Sequence, residues 1–442
     1  MSDKPSKAQA MAVPSSRIGR VSRLGAMTAG VAGNMALNGL AQVGRGQRPK
    51  MRDLLLTPRN MTRVADQLAQ MRGAAMKIGQ LVSMDSGDVL PPELAQIMAR
   101  LRDDAHFMPP AQLKQVLAAQ WPDRWLASFA KFDVRPIAAA SIGQVHRALL
   151  KDGRDLAVKV QYPGVARSID SDVANVGALM RMSGLLPKGI DIGPYLEEAA
   201  KQLHEETDYA REGAWLTRFG ELLAEDPRFV VPAMHADWST DSILAMDYVA
   251  GEPIEAMVSA PQDVRNAVAE KLIDLTLQEL FTLGAMQTDP NFANYLYQAD
   301  TGRIVLLDFG AARQIDPVVT DQYRRLMLAG LDRDLPALGE IAQDIGFVAS
   351  DTAQRHRDQI IAMMGMVFDH LQAGDRVDFS DTSLSRHMQA KGMALAEDGF
   401  VPPLVPVDVL LLQRKFGGVF LLAARLGAQV DVVRLLARYL GR

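Results

Sequence analysis

The sequence predicts an α+β chain with a small β-rich lobe, a larger helical lobe after it, and an all-helical extension ahead of both. Three observations predict it. Between residues 141 and 161 the hydrophobic pattern takes a strand period around the turn Lys151-Asp152-Gly153-Arg154. The long stretches on either side keep helical spacing. Late in the chain, Asp289-Pro-Asn-Phe-Ala-Asn294 is followed fourteen residues after its Asn by Asp308-Phe309-Gly310, a spacing that needs a loop, a short hairpin and a turn.

The chain has 442 residues, enough to bury a large core in more than one subregion. Its 48% apolar and 23% charged residues are those of a folded chain. A net charge of −4 argues against a general nucleic-acid binder. The absence of cysteine excludes disulfides, thiol catalysis and Cys-ligated zinc or iron–sulfur sites.

Residues 1–54 form a basic N-terminal region. Over residues 1–50, Lys4, Lys7, Arg17, Arg20, Arg23, Arg45, Arg48 and Lys50 stand against one acid, Asp3. Residues 24–44 carry no charge and are rich in Gly and Ala, but Gly30, Asn34, Asn38 and Gln42 recur every four residues as one polar stripe. Leu24, Met27, Val31 and Met35 lie on another face. The stretch suits an amphipathic element on an anionic membrane surface, or equally a helix packed on its own domain or on a second copy of the chain.

Residues 55–130 read as the helical extension. Met61, Val64, Leu68, Met71, Ala75, Ile78 and Val82 make a continuous apolar stripe. Pro91-Pro92 and Pro109-Pro110 open further helices. Residues 131–250 form the β-rich lobe, with strands at Ser141–Leu149, Leu156–Gln161, Val230–Pro232 and Ile243–Tyr248 and helices over 164–182 and 193–223. Residues 251–442 form the helical lobe, in which Asn294–Tyr297 and Ile304–Leu307 are a short hairpin.

The late motifs match a protein-kinase-like phosphoryl-transfer core. Asp289 is the candidate base or orienting residue, and Asn294 and Asp308 are candidate Mg²⁺ ligands through hard oxygens. Such a core needs a phosphate loop, a lysine and a carboxylate upstream. Counting back from Val145, Gly143 keeps the third glycine of the phosphate loop, while Ala138 and Ala140 replace the first two. Alanine cannot reach the positive-φ backbone open to glycine, so this loop is stiffer. Lys159, on the next strand, is in register to bind the α/β-phosphates. Taken alone, these residues are also a hairpin with a surface lysine. Glu206, Asp208 and Glu212 offer the carboxylates, with Asp208 and Glu212 on one helix face and Glu206 offset; alone, the run reads as a solvated face. The usual His-Arg before the Asp is Gln287-Thr288, and no Ala-Pro-Glu follows Asp308. The receptor for a phosphorylated activation loop and the platform for protein substrates are therefore missing. Lys77 and Gln80 share a helix face beside Gly79, which costs about 1 kcal/mol against Ala and suggests close approach of another backbone.

Lys77-Ile78-Gly79-Gln80, Ala138 through His146, the Glu206/Asp208/Glu212 run, Met286 through Asn291 and Asp308-Phe309-Gly310 together resemble the UbiB family of atypical kinases, in its coenzyme Q-type (ADCK) branch. The match runs in order from about residue 14 to the C-terminus and includes Arg414-Lys415-Phe416-Gly417-Gly418. The resemblance implies a two-lobed protein-kinase-like fold with the extension packed over the active site. It implies ATP or ADP with Mg²⁺, and support of ubiquinone biosynthesis. Carried over, Lys77 meets Glu206 and Asp208, with Gly79 and Gln80 in the same regulatory motif, and Lys159 meets Glu212. Ala138, Ala139, Ala140 and Ser141 would alter nucleotide preference, and Met246, Asp247, Tyr248 and Val249 would be the adenine hinge. The expected activity is mainly that of a Mg-dependent ATPase with water as acceptor; a kinase for a small molecule or protein, and a nucleotide-switched scaffold, are the alternatives. The expected partners are an anionic membrane surface, quinone-precursor lipids, quinone-biosynthesis enzymes and a second copy of the chain, with no nucleic acid. The expected location is peripheral to a membrane, cytoplasmic or, in a eukaryote, at the mitochondrial inner membrane or matrix.

Overall fold

The structure, a computed structural model, describes residues 73–75, 77–78, 107–140, 142–183, 192–403 and 405–442. The expectations for residues 1–54, the stretch 24–44 among them, and for most of 55–106 lie outside these, as do Gly79, Gln80 and Ser141. In chain order the elements begin with α1 (Pro110–Gln120), β1 (Phe129–Phe132), β2 (Ala138–Ala139), β3 (Gly143–Leu150), β4 (Asp155–Gln161), α2 (Val165–Ser183), α3 (Gly193–Glu206) and α4 (Tyr209–Leu222). Then come β5 (Phe229–Val230), β6 (Ile243–Asp247), β7 (Glu252–Pro253), α5 (Gln262–Gln278), β8 (Ala285–Gln287), β9 (Tyr295–Gln298), β10 (Arg303–Leu306) and β11 (Ala312–Gln314). The chain ends in α6 (Pro317–Leu331), α7 (Leu335–Ile345), α8 (Gln354–Leu371), β12 (Val377–Asp378), α9 (Ser383–Glu397), α10 (Val407–Leu426), β13 (Gln429–Val430) and α11 (Val432–Leu440).

The described residues fall into two compact units. The first runs up to Gly213 and adds Ala233–Tyr248; the second holds Ala214–Pro232 and Val249–Arg442. In the first unit an antiparallel sheet runs β1-β3-β4-β6, with β2 paired to β3. Its central hairpin, β3–β4, is the one the strand period predicts, with Val145 opposite Lys159. Gly153 closes the turn at φ +95°, which glycine adopts without strain.

The extension differs from expectation at its end. Trp121, Trp125 and Phe129 keep helical spacing, but α1 stops at Gln120, Arg124 takes a left-handed φ of 63°, and Phe129 starts a strand. Pro122 has no N–H to continue a helix. The three rings pack with Phe132 and Trp238, centroids 4.8–6.3 Å apart, into the core between α1 and the sheet. Aromatic spacing here serves a cluster built from four separate segments rather than one helix face.

A second difference concerns residues 193–223. The predicted single helix is two, α3 and α4, broken at Thr207-Asp208. The Thr207 hydroxyl donates to the His204 carbonyl, and the Asp208 carboxylate accepts the Arg211 N–H. Both side chains favour caps over helix interiors. In the second unit, β5, β10, β9 and β7 form a sheet in that order, β8 pairs with β11, and helix α5 packs along α10.

Candidate functional site

Each unit carries its own set of the sequence-predicted residues. In the first unit, Lys159 sits in the middle of β4, between Val145 of β3 and Leu244 of β6. Its ammonium donates to both oxygens of Glu212 at 2.8 and 2.9 Å. Glu212 stands in the first turn of α4, where a carboxylate suits the helix dipole. The pair is buried, the Lys159 side chain 9% and the Glu212 side chain 1% exposed. Gly143 lies beside it for lack of room: a Cβ there would come 2.5 Å from the Val160 carbonyl oxygen and 3.0 Å from the Tyr209 hydroxyl.

Lys77 meets the end of α3. Its ammonium donates to Glu206 at 2.6 Å and is itself buried. Asp208 does not join this pair, because its carboxylate is spent on capping α4. The two lysines therefore take their carboxylates from two helices, one from the last residue of α3 and one from the first turn of α4. The expectation of two faces on one helix is corrected by the break between them.

Ala138 and Ala139 are exposed on β2, opposite Val145 and Gln144. The Ala140 N–H donates to the Gly143 carbonyl. Ala138 and Ala139 are thus paired against β3, and the Ala140 amide is committed to Gly143. Burial pulls the His146 pKa below its ordinary value, outweighing the hydrogen bond to the Asp133 carbonyl. Of the predicted hinge, Met246 is buried in β6. The Asp247 N–H donates to Ala233 and the Tyr248 N–H to Asp155, so both are engaged within this unit. Val249 starts the return to the second unit.

In the second unit the hairpin β9–β10 sets Tyr295 opposite Leu306. The Leu307 N–H then donates to the Asn294 carbonyl, which brings Asn294 alongside the residue before Asp308. Asp308 accepts the Gly310 N–H at 3.0 Å and Phe309 is buried against Phe219, centroids 4.8 Å apart. Asp289 is tied to the same segment. Both the Thr288 N–H and its hydroxyl donate to Ala311, and β8 pairs with β11 so that Gln287 faces Ala312. Gln287 also accepts the Asp289 N–H at 2.8 Å. The residues standing where His-Arg usually stands are therefore used to fix the loop.

Sequence reasoning missed a further group on α10. Arg414, 4% exposed, donates to Asp289 Oδ1 at 2.6 Å. Lys415 pairs with the buried Glu279 at 3.1 Å and donates to the Tyr295 hydroxyl. Burial alone would pull the Lys415 ammonium down, but the Glu279 carboxylate and Tyr295 hold it above its ordinary value. At Gly418 any Cβ would overlap the Pro290 ring. The run Arg414–Gly418 was visible in the sequence, but helical spacing says nothing about a partner 125 residues earlier.

Asn294 and Asp308 suit a magnesium ion. The Asn294 Nδ2 is buried with no hydrogen-bond partner among the described residues, and the amide's Oδ1 is the atom that could meet a cation. No cluster of three or more His, Cys, Asp or Glu gathers among the described residues. Few protein oxygens, completed by phosphate and water, is the pattern of Mg²⁺ rather than of a closed protein cage.

The ABC1 atypical kinase-like domain matches residues 100–342. The chain is 38% identical over 439 residues to the mitochondrial atypical kinase COQ8 of Saccharomyces cerevisiae, covering 98% of this chain and 86% of that one. It belongs to the ABC1 atypical kinase-like family, in the coenzyme Q branch of the UbiB group. A second relative, the mitochondrial atypical kinase COQ8B of Rattus norvegicus, is 37% identical over 424 residues, 95% of this chain and 79% of that one. The fold is kinase-like. It is similar to that of Rv3197 from Mycobacterium tuberculosis, solved with erythromycin, at a TM-score of 0.59 and 24% identity over 85% of this chain and 95% of that one. Among the described residues, no helix of this UbiB-group chain is long and apolar enough to cross a membrane.

Proposed function

We propose that the chain binds Mg-ATP and acts mainly as an ATPase, with water as acceptor, in support of coenzyme Q biosynthesis at a membrane surface. One observation carries the reading. Asp289, Asn294 and Asp308 are all present and tied to one another in one unit, while Gln287 and Thr288 are spent inside the loop. The phosphoryl-transfer set is kept and the receptor for activation-loop control is not.

Lys159 binds the α/β-phosphates, and Glu212 holds its ammonium in place. Asp289 orients the attacking water. Asn294 and Asp308 hold Mg²⁺, which supplies neutralisation of the phosphate oxygens when bound. Lys77, held by Glu206, regulates access, with Gly79 and Gln80 in the same motif. Ala138, Ala139, Ala140 and Ser141 set nucleotide preference through a stiff loop. The hinge assignment narrows to the carbonyls of Asp247 and Tyr248 and the Val249 N–H, because Met246 is paired with Ala157 in the sheet and the Asp247 and Tyr248 amides are engaged. Partners are an anionic lipid surface, quinone-precursor lipids, quinone-biosynthesis enzymes and a second copy of the chain, which fits a protein peripheral to a membrane. The names of the COQ8 relatives support the coenzyme Q assignment.

The assay is ATP turnover by purified protein with and without anionic liposomes and a phenolic quinone-precursor mimic. Turnover is expected to rise several-fold with both added, and Lys77→Ala is expected to change the unstimulated rate. No stimulation, with Lys77→Ala also silent, would sink the membrane-coupled reading. The intact Asp289 also suits a second reading, phosphorylation of a small molecule or protein.

A further inference from the structure

Helix α10 places three positions against the segment that carries Asp289. Gly418 takes the Pro290 ring, Lys415 takes Glu279 and Tyr295, and Arg414 takes Asp289 itself. The first two contacts dock the helix without using the Asp289 carboxylate: one is shape, the other a buried ion pair of Lys415 with Glu279. The third spends a buried guanidinium on one oxygen of the proposed water-orienting residue. The loop backbone is already fixed by Gln287 and Thr288. What they leave undetermined is the rotation of the Asp289 side chain. Arg414 fixes it through Oδ1, while Oδ2 makes no hydrogen bond among the described residues. The carboxylate, 18% exposed, thus has one oxygen held and one available.

We propose that Arg414 is a positioning residue, which fixes the Asp289 carboxylate from α10 so that Oδ2 is presented to the attacking group. This rests on the role assigned to Asp289 above. Arginine suits the task better than lysine, because its planar fork fixes direction as well as charge. A misplaced orienting group can cost about 10²-fold in rate.

The test uses the full chain and four variants: Arg414→Met, Arg414→Lys, Asp289→Asn and the Asp289→Asn/Arg414→Met pair. ATP turnover, ADP binding and melting temperature are measured for each. Arg414→Met is expected to lower kcat about 10- to 100-fold with KM and ADP affinity unchanged. Arg414→Lys should recover part of that. In the Asp289→Asn background, Arg414→Met should cost nothing further, because its effect runs through Asp289. The paired variant removes both charges of this ion pair, so it carries the decision if Arg414→Met alone does not fold. Wild-type kcat in Arg414→Met or Arg414→Lys would overturn the proposal, as would a further tenfold loss in the paired variant. A wild-type rate in Asp289→Asn would instead remove the role of Asp289, and with it the catalytic reading beneath.

Discussion

Replacing Asp308 by Asn is expected to cut Mg-dependent ATP turnover by about 10²–10³-fold while leaving the fold intact. Asparagine has the same shape and keeps the oxygen that accepts the Gly310 N–H. It lacks the charge that a divalent cation needs from so small a ligand set. Asn294 is neutral, so Asp308 is the anionic member of the pair. The rate should recover in part at higher Mg²⁺, and the melting temperature of the nucleotide-free protein should stay within a few degrees of wild type. A turnover unchanged across a Mg²⁺ titration would remove Asp308 from metal binding.

The second large effect concerns Lys159 and Glu212. Lys159→Met takes the Lys159 ammonium away from the buried Glu212 carboxylate, which costs about 3–5 kcal/mol. The paired variant Lys159→Met/Glu212→Gln removes both charges and should regain most of that stability. Neither should bind ADP with the affinity of the wild type, because the ammonium proposed to meet the phosphates is gone. Urea unfolding separates the two effects from ligand-induced thermal stabilisation. A paired variant that is stable and still binds ADP at wild-type strength would show the ion pair to be purely structural.

The placement of these residues was legible because a kinase-like core spaces them at fixed intervals. Asp289, Asn294 and Asp308 lie within twenty residues, and the hairpin between them has a length the sequence reveals. Lys159 follows from the strand register with Val145. The partner of Lys77 was legible only in part. The sequence points to Glu206 and Asp208 together, and capping by Asp208 leaves Glu206 alone in the pair. Thr207-Asp208 carried that signal, since both residue types favour helix ends, but the surrounding apolar spacing continued across them. The all-helical reading of residues 55–130 fails at its end, where Trp121, Trp125 and Phe129 stand at helical spacing although a helix, a tight turn and a strand converge on their one cluster. Arg414 was illegible as to role. A buried arginine on an apolar helix demands a partner, yet nothing local says which of many carboxylates supplies it.

The proposed activity sends phosphate from ATP mainly to water. The most direct measurement follows γ-labelled ATP in a single reaction, counting free phosphate, labelled protein and labelled small molecules against ADP formed. Free phosphate should match ADP, Asp289→Asn should suppress both, and label on protein should stay a small fraction of turnover. Label accumulating on a protein or small-molecule acceptor in step with ADP, with little free phosphate, would contradict the claim and make the chain a kinase in the ordinary sense.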